Sequence, residues 1–292
     1  MNDSQAPSPE APSPPARKRP PWLLILLTVA FVLVPYLFWR GTWFGRPLSD
    51  EETAKYFADT KHPRRAQHAL VQIGERIERG DPSVRRWYPE VQAQARHELP
   101  EIRATAAWVM GQDNQSDDFH RTLLELLSDA DPLVRRNAAL ALVRFGDATG
   151  RPEIIRMLQP YTVAAPAAGA LEVRLREGNP VNPGTLLAHI GQGTGEPVGV
   201  RSPLPGTVRL WLARDGAAVA EDESIVQLAP DETQVWEALR ALYLIGEPQD
   251  LEEVESYAHG VEGMSARVQE QARQTAEAIR LRAEGSAATE GK

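Results

Sequence analysis

Apolar residues along this chain follow three rhythms. From Trp22 to Trp39 they are nearly continuous, WLLILLTVAFVLVPYLFW, with no charge inside. From about residue 49 onward they recur at helical spacing, three and four apart. Between about residues 163 and 230 that spacing gives way to short alternating runs punctuated by Gly and Pro, such as GALEVRLREGNPVNPGTLLAHI. The first rhythm predicts one long apolar helix, the second a series of amphipathic helices, and the third a set of β-strands.

The amphipathic stretches align with one another. HPRRAQHALVQIG from His62, LPEIRATAAWVMG from Leu99, DPLVRRNAALALVRFGD from Asp131 and DETQVWEALRALYLIGE from Asp231 share small and apolar residues at equivalent places. In the last two, Ala138, Ala141, Leu142 and Gly146 match Ala238, Ala241, Leu242 and Gly246. SARVQEQARQTAEAI from Ser265 is a fifth, weaker copy. Another helical run precedes most of them: VRRWYPEVQAQARHE, FHRTLLELLSD, RPEIIRMLQPY and LEEVESYAHG. The unit is helix, short turn, helix, repeating every 32–37 residues. DPSVRR at Asp81 looks like one more start, but Pro82 lies only 18 residues before Pro100. Ser83 to Glu98 is therefore expected to be the first helix of the second unit.

These units resemble HEAT repeats. The likeness is best in DPLVRRNAALALVRFGD, with its Asp-Pro, Val-Arg, Ala-Ala, Ala-Leu and Gly. The resemblance implies an α-solenoid over about residues 49–283, and such stacks present extended, curved binding surfaces. One unit is too long: from Pro132 to its equivalent Glu232 is 100 residues. The excess coincides with the strand-like region, which repeats internally. At an offset of 38 residues, Gly178 meets Gly216, Val181 meets Val219, Leu187 meets Ile225, and Ile190 meets Leu228. With SPLPG at residues 202–206, this duplication resembles the biotinyl/lipoyl family, whose two halves form a flattened barrel. In that family a hairpin presents the lysine that carries the cofactor. Here the hairpin is expected at Gly193 to Glu196 and the lysine position near Gly195. The nearest lysines, Lys61 and Lys292, lie far outside. Amide attachment needs an ε-amine at that place, so neither lipoate nor biotin is expected. Non-carrier relatives, the lipoyl-like modules of periplasmic adaptor proteins, imply docking on other subunits. Those usually carry a helical hairpin between the halves, which this chain lacks.

The fold class expected is mainly α: a HEAT-like α-solenoid with a small all-β lipoyl-like domain inserted in one repeat, plus one N-terminal transmembrane helix. The expected parts are a disordered tail (1–21), a transmembrane helix (22–39), repeats (49–161), the β domain (162–230), further repeats (231–283) and a disordered tail (284–292). The apolar run of about 18 residues would be roughly 27 Å long as a helix, enough for a hydrocarbon core. Trp22, Trp39 and Trp43 fit an aromatic belt. Arg17, Lys18 and Arg19 precede the run; Arg40 and Arg46 follow it, and then the acidic Asp50, Glu51 and Glu52. This polarity predicts a cytoplasmic N-terminus, with the rest of the chain outside a bacterial inner membrane. The bulky YLFWRGTWFG argues against a signal-peptide cleavage site.

Composition narrows the chemistry. The chain has 292 residues and a net charge of -8, with no basic stripe, which argues against nucleic acid as a partner. It has no cysteine, hence neither disulfides nor thiolate chemistry. The histidines His62, His68, His97, His120, His189 and His259 are scattered, without metal-ligand spacing. GQGTGEP lacks the strand and helix of a phosphate cradle. Arg103 and the Arg135–Arg136 pair stand near second-helix starts, where they are expected to pair with the Asp before them. No catalytic, cofactor-binding or metal-binding residue is proposed, and no small-molecule substrate is identified. Arg201, Trp211 and Trp236 are the candidate partner-binding residues; Trp236 takes the position of Arg136 after the insertion and is expected to meet the β domain. The function expected is a non-enzymatic, membrane-anchored scaffold for protein partners in an envelope complex. The rival readings are an adaptor of an efflux or secretion system and a HEAT-like enzyme of the bilin-lyase type.

Overall fold

A computed structural model describes residues 21–41, 47–191, 193 and 195–290. The chain divides into two units, Met1–Ser49 and Asp50–Lys292. In the first, helix α1 (Pro21–Gly41) contains Pro35 and covers the whole of the apolar run. Its described side chains are Trp22 and those of residues 26–35. Among the described residues, no helix is long and apolar enough to cross a membrane. The expected tail at 1–20 and the belt residue Trp43 lie outside the described residues.

The second unit begins with α2 (Asp50–Ala58), α3 (Pro63–Glu78), a 3-10 turn (Pro82–Trp87) and α4 (Tyr88–Gln94). There follow α5 (Pro100–Met110), α6 (Asp117–Leu126), α7 (Pro132–Arg144) and α8 (Arg151–Arg156). Proline opens α3, α5 and α7, where its fixed φ suits the first turn and its missing N–H costs nothing. Asp131 caps α7 by accepting from the Leu133 N–H at 2.8 Å. The single helix expected over Ser83–Glu98 is broken, because Pro89 starts α4 afresh and leaves the residues before it in the tighter turn.

The second helices stack in order, α3 on α5 on α7. Glycine permits this closeness at two places. A Cβ on Gly74 would lie 2.6 Å from the Trp108 ring, and one on Gly111 would lie 2.8 Å from the Ala141 Cβ. After the β region come α9 (Glu232–Ile245), α10 (Leu251–Ala258) and α11 (Ala266–Glu290), with α9 packed on α7 and α11 on α9. Helix α11 runs to Glu290, through most of the tail expected to be disordered at 284–292. Its sequence is rich in Ala, Glu, Gln and Arg, all strong helix formers. Arg282 also ties it down, donating to Tyr243 O at 2.6 Å and Gly246 O at 2.9 Å at the end of α9.

Between α8 and α9 lie eight strands: β1 (Tyr161–Ala164), β2 (Gly169–Val173), β3 (Pro180–Val181), β4 (Leu186–Gly191), β5 (Val198–Arg201), β6 (Gly206–Trp211), β7 (Ala218–Val219) and β8 (Ser224–Pro230). They form two antiparallel sheets, ordered β1-β8-β6-β3 and β5-β4-β2-β7. Advancing every strand of one sheet by four places gives the order of the other. The exchange extends to single residues. Gly169 pairs with Val219 as Gly206 pairs with Val181. The Gly216 N–H donates to Leu171 O at 2.7 Å as the Gly178 N–H donates to Val208 O at 2.8 Å. Gly178 and Gly216 both have positive φ, 85° and 77°. The turn between β4 and β5 is short; its Gln192 and Thr194 lie outside the described residues.

The buried apolar residues fall into three clusters. One fills α3 to α7, and one is confined to the β region. The third runs from Ala139 and Val143 of α7 through Ile154, Met157 and Leu158 to Val235, Leu239 and Leu242 of α9. The helical core therefore continues across the insertion, and the sheets bury their own residues.

Candidate functional site

The β region meets the helices at a buried polar bracket. Asp231 caps α9 by accepting from the Gln234 N–H at 2.7 Å, which sets Gln234 in the first turn facing the insertion. The Gln234 amide accepts a short hydrogen bond from Arg136 Nη1 and donates to Pro205 O at 2.7 Å. Arg136, only 4% exposed, also donates to Arg156 O at 3.4 Å. Its Nε, 3.8 Å from the Glu153 carboxylate, has no hydrogen-bond partner. Glu153 is 5% exposed and receives Arg135 at 3.3 Å and Arg156 at 2.8 Å. Burial pushes the Arg136 pKa down to about 10, against the opposing pull of Glu153. Ser202 Oγ donates to Leu204 O at 2.6 Å and shapes the Pro-rich turn, placing the buried Leu204 beside this bracket. The bracket fastens the sheets to the helix stack.

A second feature is a groove of about 520 Å³ across α5, α7 and α9. Trp108, Leu140 and Leu244 supply apolar surface, and Arg144, Glu237 and Arg240 are its charged residues. Trp108 is 38% exposed and Leu244 61%. Arg144 donates to the neutral Gln112 side chain at 2.9 Å. At one end, the guanidinium groups of Arg240 and Arg267 lie over the Trp236 ring, 4.5 and 3.8 Å from its centroid.

The structure disperses the residues expected to bind a partner. Arg201 sits exposed on β5 and donates to Gly184 O at 2.8 Å. Trp211, at the end of β6 in the other sheet, donates its indole N–H to Leu175 O at 3.1 Å, closing the loop before β3. Trp236 stacks under the two arginines and packs on the helical core, while Gln234 makes the hydrogen bond to the β region. Two residues apart on a helix are about 200° apart around it, so only one of them can face the insertion. Arg103 also departs from expectation. It grips Asp129, 26 residues onward, through two hydrogen bonds of 2.7 and 2.8 Å, and caps His97 O and Glu98 O of the preceding turn. Arg135 likewise reaches turn carbonyls, those of Asp129 and Ala130. The signals for the missed features were a Gln three residues after the Asp of α9, and apolar residues at matched outward positions, Val71, Trp108 and Leu140. Among the described residues no group of three or more His, Cys, Asp or Glu side chains could hold a metal.

A family model for HEAT repeats matches residues 88–172, from the start of α4 into β2. The helical units of that span are thus similar to HEAT repeats, a class whose stacked helices generally mediate protein–protein interaction. No curated protein matches the chain.

Proposed function

We propose that this protein is a non-enzymatic scaffold, anchored to a membrane through its N-terminal helix, whose HEAT stack and β region present two joined surfaces to protein partners. The observation that carries the reading is the Arg136–Gln234–Pro205 bracket, which holds a separately cored β region against a continuous helical core. A tethered domain would need no such buried fastening. We read the β region as a lipoyl-like module that has lost its carrier role. The four-strand exchange between its sheets supports this, as does the absence of lysine from residues 162–230. The anchor is supported by the uncharged run from Trp22 to Trp39, and the extracytoplasmic placement by the Arg17–Arg19 cluster before it.

Affinity purification from detergent-solubilised membranes tests the scaffold. A partner should co-purify in fixed stoichiometry, and a chain recovered alone after cross-linking sinks the reading. Alkaline phosphatase fused after Lys292 tests the placement: activity is expected, and an inactive fusion alongside an active cytoplasmic reporter at the same point refutes it.

A further inference from the structure

We propose that the groove across α5, α7 and α9 binds an acidic peptide segment of a partner protein, with one bulky apolar side chain set among carboxylates. This deepens the scaffold reading and rests on it. The groove carries two arginines without an ion pair, Arg144 and Arg240. Several arginines of the stack are answered by carboxylates: Arg103 by Asp129, Arg135 by Glu153, Arg151 by Asp250 and Arg280 by Glu255. Arg144, Arg240 and Arg267 have no such carboxylate partner, and Arg282 too meets only backbone carbonyls. Among the described residues none of the first three has an ion pair, although the chain holds 40 acidic against 32 basic residues. Arg240 and Arg267 hold like charges over one indole, an arrangement that repels itself until an anion arrives. Glu237 is the one carboxylate lining the groove, and it attracts Arg240 one helical turn away, which leaves Arg144 as the cation with only the neutral Gln112 beside it.

The floor decides what kind of anion fits. Trp108, Leu140 and Leu244 offer apolar surface between Arg144 and Arg240, with Trp108 and Leu244 well exposed. Inorganic phosphate would leave that surface wet, and a nucleic acid would need a longer row of cations. The volume of about 520 Å³ suits a large side chain with its flanking backbone. A segment with carboxylates on either side of a leucine satisfies both halves of the groove.

Fluorescence anisotropy on the purified full chain tests this. The probe is a fluorescein-labelled nine-residue peptide with a central leucine and glutamates on both sides. Saturable binding is expected, weakening about tenfold or more when both Arg144→Glu and Arg240→Glu are introduced. Leu244→Asp and a rise in salt from about 0.05 to 0.3 M should each weaken it several-fold. All three side chains face the groove, so an unchanged melting temperature would confirm that the variants fold. Equal binding of a lysine-for-glutamate or serine-for-leucine probe overturns the proposal, as does unaltered binding by the charge-reversed protein or no binding at all. A dimer that the charge reversal dissolves would make a second copy the occupant and equally overturn it. If the charge-reversed chain still recovers its partner from membranes, the groove proposal fails while the scaffold stands. If the unaltered chain recovers none, the scaffold itself fails.

Discussion

Excising the β region is the most informative perturbation. Residues 161–230 would be replaced by a four-residue Gly/Ser loop, retaining Asp231 as the cap of α9. The ends are close enough: Tyr161 pairs with Leu228 across β1 and β8, and such partners lie about 5 Å apart. The helical core survives the cut, because Ile154 and Leu158 before the insertion belong to one cluster with Val235 and Leu239 after it. At the junction the helices lose the Gln234 hydrogen bond to Pro205 O, worth about 1 kcal/mol. They also lose the apolar cover of Leu204, worth about 2 kcal/mol. Against this, Arg136 regains water. Burial depresses its pKa from 12.5 to about 10, so part of that desolvation is relieved when the sheets are removed. The losses come to about 3 kcal/mol at most and the relief of Arg136 opposes them, so the melting midpoint should fall by no more than about 12 °C. Circular dichroism at 222 nm with a thermal scan is the assay. Retained helicity and one cooperative transition are expected. A broad melt, or lost helicity, would show that the sheets complete the helical core and would refute the reasoning.

Gly169→Ala and Gly206→Ala should each destabilise the sheets by about 2–4 kcal/mol and by similar amounts, since the added Cβ would lie 2.3 Å from Gly191 O in one case and Ala229 O in the other. Hydrogen exchange should show faster strand amides with unaltered α3–α7, and tolerance of either substitution would contradict the matched geometry. The Asp81 carboxyl should titrate near pH 2 by NMR, because Ser83 and Arg76 both donate to its ionised form. A lowered folded pKa means that its contribution to stability is present above about pH 4 and fades as pH falls toward 2; a normal titration removes that contribution. Intact mass should show neither lipoyl nor biotinyl addition even when a ligase is co-expressed, since residues 162–230 contain no lysine.

Much of the fold is legible in local pattern. The spacing of Ala138, Ala141 and Leu142, the leading Pro132 and the capping Asp131 define α7 before any neighbour is considered; the spacing with a leading proline marks α3 and α5, and the spacing with the capping Asp231 marks α9. The offset that pairs Gly178 with Gly216 likewise marks two equivalent halves, because both turns need a positive φ that glycine adopts most easily. Local pattern says which face of a helix is apolar, but not what that face meets. Arg136 and Gln234 are 98 residues apart, and only the packing of α9 on α7 across the insertion brings them into contact. The same holds for the groove: Trp108, Leu140 and Leu244 each read as an ordinary helical apolar residue. What leaves them exposed together beside Arg144 and Arg240 is the stacking of α5, α7 and α9, a packing that depends on glycines and alanines small enough to let those helices approach.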